Sequence, residues 1–310
     1  MRVRSLIGTP RCKQIYKTLV RSQDLWGVMT KLAENSQTKL LLIIMVTFVA
    51  AAVIALTVGT AKAAPGAGTG ASFVVECGIN GTFPDVDPIA FTHHVHVESG
   101  AKPFTNSITA NSVRNNKTSC FDAKDKTAYW SPLLYENSGT ALVPIDTDTY
   151  YRGGVAPSRV VAFPYSTQML VNKASRVKWE CRTSGSVKGF ADAPTRCAGR
   201  LIAAIQFPQC WNGNSPANID DFRYPSGGGC AAPFGRVIPE MTQRWSFKAR
   251  DGEINGVKVS AGNGQLEDQS FEHSDFLNGW NQDRLRFLIK DCIKEVPLSG
   301  TRPDRCRLIQ

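Results

Sequence analysis

The chain has 310 residues, 42% of them hydrophobic and 20% charged, so it is long enough to bury a core and its composition excludes wholesale disorder. Its formal charge is +10, but residues 1–63 hold nine of the basic residues and only two acidic ones. The remaining 27 basic and 24 acidic residues nearly balance. A domain with so little net charge is not expected to bind nucleic acid.

The first predicted element is an uncharged apolar run over residues 40–58. Lys31 and Lys39 precede it, and the small-x-small sequence Ala61-Lys62-Ala63 follows. A basic stretch, an apolar run and such a site are typical of a secretory signal peptide. The run also approaches the roughly 20 residues that span a bilayer. Two interpretations stay open: a cleaved signal of a secreted protein, or an uncleaved helix that anchors an extracellular domain to the membrane.

Residues 64–72 are small and predict a flexible linker, so the folded domain is expected over 73–310. Short strand-like runs follow, separated by Gly, Pro and Asn clusters. In chain order they cover 73–77, 159–163, 177–181, 201–207, 245–248 and 257–259, of which 201–207 also fits a short buried helix. Helical spacing of apolar residues predicts one helix over 284–294. We therefore expect a mainly β, antiparallel, sandwich-like domain with long loops, disulfides and a short C-terminal helix.

Cysteine usage agrees with export. Eight of the nine cysteines lie beyond residue 63, and an even number after a signal predicts up to four disulfides. None of the eight is in a Cys-x-x-Cys pair, which disfavours a zinc cage. Proximity along the chain favours three pairs and leaves a fourth: Cys181–Cys197, Cys210–Cys230, Cys292–Cys306 and, as the remaining pair, Cys77–Cys120.

All four histidines lie in two places, three of them in His93-His94-Val95-His96 and the fourth at His273. His94 and His96 would share one face of a strand, because side chains alternate. With His273 they are candidate ligands for a divalent transition metal, and with Asp275 they are candidate catalytic residues for proton transfer. Asp275 would ligate the metal or orient His273. The alternative is a set of surface or hydrogen-bonded core histidines without a function.

Paired carboxylates are a second feature, at Asp85 and Asp87. Glycoside hydrolysis uses two carboxylates, whereas flanking prolines favour a plain turn at this point.

Aromatic rings near amides are a third feature. Rings and amides suit a polysaccharide ligand, because sugars have apolar faces and hydroxyl groups. Packing in the core is the alternative for the rings. The candidate ligand-binding residues are Trp130, Tyr135, Trp211, Asn278 and Trp280.

Several stretches occur in an order that is similar to a known family. They are Asp87-Pro88-Ile89, His94-Val95-His96, the segment 129–135, Pro208-Gln209-Cys210-Trp211-Asn212-Gly213 and the segment from His273 to Trp280. With them, the chain over about 73–290 resembles the domain-of-unknown-function family nineteen-ninety-six, found in secreted proteins of fungi and actinobacteria. The resemblance implies export and disulfides, and it implies no particular activity.

Three functions stay open at this point. The chain is a secreted or surface-anchored protein that binds or acts on cell-wall polysaccharide, a histidine-based metal-binding protein or metalloenzyme, or a non-catalytic surface protein. We also expect the His94–His96 segment and the His273–Trp280 segment to meet in one cleft, with Asp275 accepting a hydrogen bond.

Overall fold

A computed structural model of the chain describes residues 71–83, 95–105, 107–248, 252–260, 265–267, 273–296 and 301–309. The predicted signal or anchor and residues 64–70 of the predicted linker lie outside these ranges. Within them, no helix combines the length and the apolar character that crossing a bilayer requires.

Strands make up most of the regular structure. In chain order they are β1 (Ser72–Cys77), β2 (Ile79–Phe83), β3 (His96–Lys102), β4 (Lys117–Thr118), β5 (Ala128–Pro132), β6 (Leu134–Tyr135), β7 (Ala141–Leu142), β8 (Pro144–Arg152), β9 (Gln168–Val171), β10 (Val177–Arg182), β11 (Val187–Phe190), β12 (Arg196–Cys197), β13 (Arg200–Gln206), β14 (Cys210–Trp211), β15 (Phe222–Arg223), β16 (Arg236–Val237), β17 (Glu240–Lys248), β18 (Ile254–Asn255), β19 (Lys258–Ser260), β20 (Leu266–Glu267), β21 (Ser274–Leu277) and β22 (Arg307–Leu308).

The helices of the described residues are short. Within these ranges the α-helices are α1 (Ala110–Asn115) and α2 (Gln282–Leu288), and α2 continues as a π-helical turn over Ile289–Lys294. Single 3₁₀ turns cover Pro157–Arg159, Ala174–Arg176, Ile219–Asp221 and Asp304–Cys306. The predicted C-terminal helix is thus confirmed.

Two large sheets organise the described residues. A seven-stranded sheet has the order β11-β10-β13-β17-β8-β1-β22, and a six-stranded sheet has the order β2-β3-β5-β21-β9 with β4 added beside β3. The pairs are antiparallel except β1 with β22. The smaller sheets are β12-β18, β15-β14-β16 and β20-β19-β6-β7. The predicted mainly β, antiparallel fold class is confirmed.

The inner faces of the two large sheets meet in a common core. The hydroxyl groups of Tyr129 on β5 and Tyr151 on β8 are 2.5 Å apart, and the hydroxyl of Ser274 on β21 donates to Gln243 Oε1 on β17 at 2.7 Å. Around these polar contacts pack large apolar side chains such as that of Phe276, which is fully buried. The alternation of side chains then directs the remaining residues of β3, β5 and β21 to the outer face of the six-stranded sheet.

That outer face carries its own apolar cluster, which α1 covers. Trp130, Leu277, Phe83 and Val113 of α1 belong to this cluster and are buried. Thr109 caps α1 through a reciprocal hydrogen-bond pair with Ser112, which satisfies backbone donors at the first turn. The helix is therefore held over the sheet face on which the candidate residues lie.

The four favoured disulfides are confirmed. They are Cys77–Cys120, Cys181–Cys197, Cys210–Cys230 and Cys292–Cys306. Four intact disulfides are typical of proteins that fold in an oxidising compartment, so they indicate an extracellular or secreted protein.

Three predicted local elements need comment. The predicted strand 159–163 does not form. Arg159 ends a 3₁₀ turn, Pro164 follows the segment, and Val161 donates one backbone hydrogen bond, to Val237. The ambiguous run 201–207 falls in strand β13 rather than in a helix. Strand β1 begins at Ser72, so the end of the predicted linker belongs to the sheet.

Candidate functional site

The strand register places two rows of side chains on the outer face of the six-stranded sheet. In one row, Glu98 of β3 and Asp275 of β21 lie on either side of Trp130 of β5. In the next row, His96 lies opposite Pro132 of β5. Directly paired residues share a face of the sheet, so all five positions belong to one surface.

His96 and His273 meet across Pro132. Their Nε2 atoms are 3.2 Å apart and their ring centroids 5.1 Å apart. His273 Nδ1 lies 2.5 Å from Asp275 Oδ2. The two segments therefore come together as expected, but in the interior rather than in an open cleft, because the exposed fractions are 0% for His96, 3% for His273 and 0% for Asp275.

The chemistry of these groups sets the direction of the hydrogen bonds. A carboxylate can only accept, so His273 Nδ1–H donates to Asp275. Neutral His273 then has an acceptor at Nε2, and His96 Nε2–H donates to it. The result is an Asp275–His273–His96 chain along which a proton can move, with the carboxylate orienting the first imidazole.

The same two imidazoles could hold a metal ion. Zinc binds imidazole nitrogen at about 2.0–2.1 Å, so two ligand nitrogens roughly 3.2 Å apart are compatible with one ion between them. A carboxylate on the remaining nitrogen is the usual outer partner of a metal-binding histidine, and Asp275 has this position on His273. The third predicted ligand, His94, lies outside the described residues, as do His93, Asp85 and Asp87.

An aromatic cluster covers the histidines and the floor of the site. The Phe83 ring stacks on His96 at a centroid distance of 4.9 Å. Phe104 contacts Phe83 at 4.5 Å and Trp130 at 5.0 Å. The three rings thus separate the buried polar groups from solvent on this side.

The aromatic residues predicted to contact a sugar are mostly in the core. Trp130, Trp211 and Trp280 are 0%, 7% and 1% exposed, so they present no ring face to a polysaccharide. Tyr135 is half-buried on β6, and its burial raises the pKa of its hydroxyl. The expected sugar platform therefore has no support from the three tryptophans, because the packing of the sheets covers their rings.

Asn278 and Trp280 have structural contacts. The Asn278 side-chain amide donates to Pro164 O at 2.9 Å, and its Oδ1 accepts from the Trp280 backbone N–H at 3.1 Å. Trp280 Nε1–H donates to Tyr151 OH at 3.1 Å. These bonds tie the end of β21 to neighbouring loops and to the seven-stranded sheet.

A polar cavity of about 630 Å³ opens beside the two rows. Glu98 lines it, and Glu98 lies two residues from His96 on the same face of β3, about 7 Å along the strand. The remaining lining residues are Asn80, Lys102, Pro103, Phe104, Asn115, Asn116 and Lys117.

Two of the lining residues each have one acceptor atom that is buried without a hydrogen-bond partner among the described residues, namely Glu98 Oε2 and Asn80 Oδ1. The amide nitrogen of Asn80 is used, because it donates to the backbone oxygens of Gly100 and Ala101. Burial raises the pKa of the Glu98 carboxyl to about 7, although the Lys102 ammonium lowers it in part. Unpaired acceptors are costly to bury, and these two have too little accessible surface for a ligand in the cavity to reach them directly.

Sequence reasoning missed the cavity residues. Glu98 had a usable signal, because His94, His96 and Glu98 alternate along one strand and must share a face. No such signal existed for Asn80 and Lys117, whose places in the cavity depend on the pairing of β2 and β4 with β3.

Comparison with known proteins gives one family match. The model of a domain of unknown function, DUF1996, matches residues 84–280. Nothing among curated proteins or solved structures matches the chain. The matched stretch contains Glu98, both described histidines and Asp275.

Proposed function

The chain belongs to the DUF1996 family, and we propose that it is an exported protein that binds cell-wall polysaccharide in the polar cavity beside the histidine pair. One observation carries the proposal. A cavity of about 630 Å³ brings together a carboxylate, three asparagines, two lysines and the Phe104 ring, next to a buried Asp-His-His chain.

The lining of the cavity matches the chemistry of a sugar. Hydroxyl groups can exchange hydrogen bonds with the carboxyl group of Glu98 and with the side-chain amides of Asn115 and Asn116, which line the cavity. Phe104 adds an apolar surface for the face of a sugar ring. Pockets that bind small polar ligands combine such an apolar wall with a few convergent polar groups.

The cavity also contains a carboxyl group that could catalyse cleavage of the bound polymer. Glu98 is the carboxyl group in the cavity, and a carboxylic acid that protonates the leaving oxygen is the usual general acid of glycoside hydrolysis. The Asp275–His273–His96 chain begins two residues away from it on β3. In this proposal, Glu98 protonates the leaving oxygen, and a water molecule from the open cavity attacks the anomeric carbon and releases its proton to solvent, from which Glu98 is protonated again.

Retention and cleavage assays test this function. The full-length chain is incubated with insoluble chitin, β-glucan and peptidoglycan, and the bound protein and newly formed reducing ends are measured. We expect retention on at least one polymer, and Glu98→Gln should abolish release of reducing ends, because an amide cannot act as the acid.

The matched control is Glu295→Gln, which removes an exposed carboxylate that is in a surface ion pair with Lys290 and does not line the cavity. This variant should behave like the wild type, since exposed ion pairs contribute little to stability. Absence of retention on every insoluble polymer, together with absence of binding to soluble glycans, would contradict the proposal.

A second function is favoured by the imidazole geometry alone. A 3.2 Å separation of Nε2 atoms, with Asp275 on the outer nitrogen of His273, suits a divalent transition metal. Metal analysis of the purified protein tests it, because His273→Ala should remove a bound ion and Asp275→Asn should weaken its binding about 10–100-fold. Less than a tenth of an equivalent after reconstitution would end this alternative.

A further inference from the structure

We infer that the sugar unit in this cavity carries a carboxylate, so that the ligand is a uronic-acid-type polysaccharide held by Lys102 and Lys117 at its acid group. The inference rests on the proposed function and specifies the class of its ligand.

The two lysines are direct partners across two strands. Lys102 of β3 pairs with Lys117 of β4, and both side chains are exposed at the cavity. Like charges directly opposite each other destabilise a strand pair, and an anion between them would offset that repulsion. A carboxylate that accepts from two ammonium groups makes charge-assisted hydrogen bonds, which are stronger than neutral ones.

The same cavity is lined by groups that pair with hydroxyls. They are the carboxyl group of Glu98 and the side-chain amides of Asn115 and Asn116. Sugar hydroxyls can satisfy them, whereas an inorganic phosphate or sulfate ion brings no comparable set of donors.

Only a ligand with both kinds of group uses the whole lining. A neutral sugar supplies hydroxyls but brings no anion to Lys102 and Lys117, and a simple anion brings no set of hydroxyls to the amides and the carboxyl group. A polyhydroxy acid has hydroxyls and one carboxylate on a single ring. This combination selects a uronate residue of a polysaccharide.

Calorimetric titration of the full-length chain tests the inference. The probes are oligomers of glucuronate, galacturonate and mannuronate, each compared with its carboxyl-reduced, neutral counterpart of equal length. We expect at least one uronate oligomer to bind about tenfold more tightly than its neutral counterpart, because charge-assisted hydrogen bonds are stronger than neutral ones. Rising salt should reduce this preference.

Variants assign the preference to the two lysines. The double variant Lys102→Gln/Lys117→Gln should lower the affinity for the uronate oligomer to that of the neutral one, and Lys102→Arg should retain the preference because the charge remains. Lys178→Gln, which removes an exposed lysine on β10 of the other large sheet, is the matched control and should leave the preference intact.

The outcomes separate the inference from the function on which it rests. Equal binding of charged and neutral oligomers, or a preference that survives the double variant, overturns the carboxylate inference and leaves polysaccharide binding standing. Absence of binding to every oligomer, together with absence of retention on every polymer, overturns both.

Discussion

The Nε2 atoms of His96 and His273 lie 3.2 Å apart, although 177 residues separate the two side chains along the sequence. Their strands are not neighbours, because β5 runs between them. The rings can meet because the residue of β5 between them is Pro132, whose side chain is short. In the next row the residue of β5 is Trp130, whose large side chain fills the space between Glu98 and Asp275. A small residue in one row thus permits the pair, and a large one in the next row keeps the two carboxyl groups apart.

His96 and His273 should contribute to the stability of the fold as one coupled pair. His96→Ala and His273→Ala should each lower the free energy of unfolding by about 1–3 kcal/mol, because each leaves a buried polar partner unsatisfied. The double variant should lose less than the sum of the two, since either change already breaks the pair. Urea unfolding of the three variants measures this coupling.

The control for this double-mutant cycle combines His273→Ala with Val187→Ala. Val187 is an exposed residue on the edge strand β11. Their effects should add, because the two residues share no partner. If His96→Ala and His273→Ala were also additive within about 0.5 kcal/mol, the contact would carry no energy of its own.

Asp125 should make stability depend on pH. It is fully buried, and burial raises the pKa of its carboxyl from 3.8 to about 7 in the folded chain. A folded-state pKa above the unfolded one favours the protonated group, so stability should fall as pH rises from about 4 to about 7 and level off beyond. Asp125→Asn should reduce this slope but not abolish it, because burial also raises the pKa of the Glu98 carboxyl to about 7, and thermal or urea unfolding at each pH would show the difference.

The exposed Asp304 provides the comparison, since Asp304→Asn should leave the profile between pH 4 and 7 unchanged. A wild-type stability that rose through this window, or a slope that Asp125→Asn left unchanged, would count against a buried, protonated carboxyl.

Loop length should rank two of the disulfides. Cys77–Cys120 closes 43 residues and Cys292–Cys306 closes 14. In the chain-entropy model, replacing both cysteines by Ala should cost about 4 kcal/mol for the longer loop and about 3 kcal/mol for the shorter one. Denaturant unfolding of the two double variants compares them directly, and an equal or reversed order would show that loop entropy does not dominate.

Gly279 should tolerate no side chain. A Cβ at this position would lie 2.1 Å from the backbone oxygen of Lys126, and backbone cannot move aside as a flexible side chain can. Gly279→Ala should therefore destabilise the fold by about 1–3 kcal/mol through overpacking. Gly185→Ala is the matched control, because a Cβ there meets nothing within 4 Å. Similar melting temperatures for the two variants would refute the steric explanation.

Local and neighbouring interactions made part of this structure predictable. The alternation of Val177, Trp179 and Cys181 predicted a strand, and β10 includes all three residues. An apolar side chain at every second position places one face of a strand against a core. Three of the four disulfides could be predicted from short separations along the chain, since nearby cysteines have the least loop entropy to lose. The fourth pair then followed from what remained.

Other features depended on packing that no local pattern encodes. Trp130 is a residue type that often stacks on sugars, yet α1 and the rings of Phe104 and Phe83 bury it. Residues 160–163 had the composition of a strand, but no neighbouring strand pairs with them along their length. Whether an apolar or aromatic residue faces solvent is decided by what the rest of the chain places on top of it.

The sequence by itself determined the β-rich fold class, the disulfide framework and the two segments that carry the histidines, because periodicity, cysteine spacing and residue type are properties of short stretches. Only the tertiary structure decided that His96 and His273 share a hydrogen bond and that Glu98, Asn80, Lys102 and Lys117 line one cavity. The physical reason is strand register. A shift of one residue between β3 and its neighbours would turn every one of these side chains to the opposite face, and register is set by the burial of the whole sheet rather than by any segment of it.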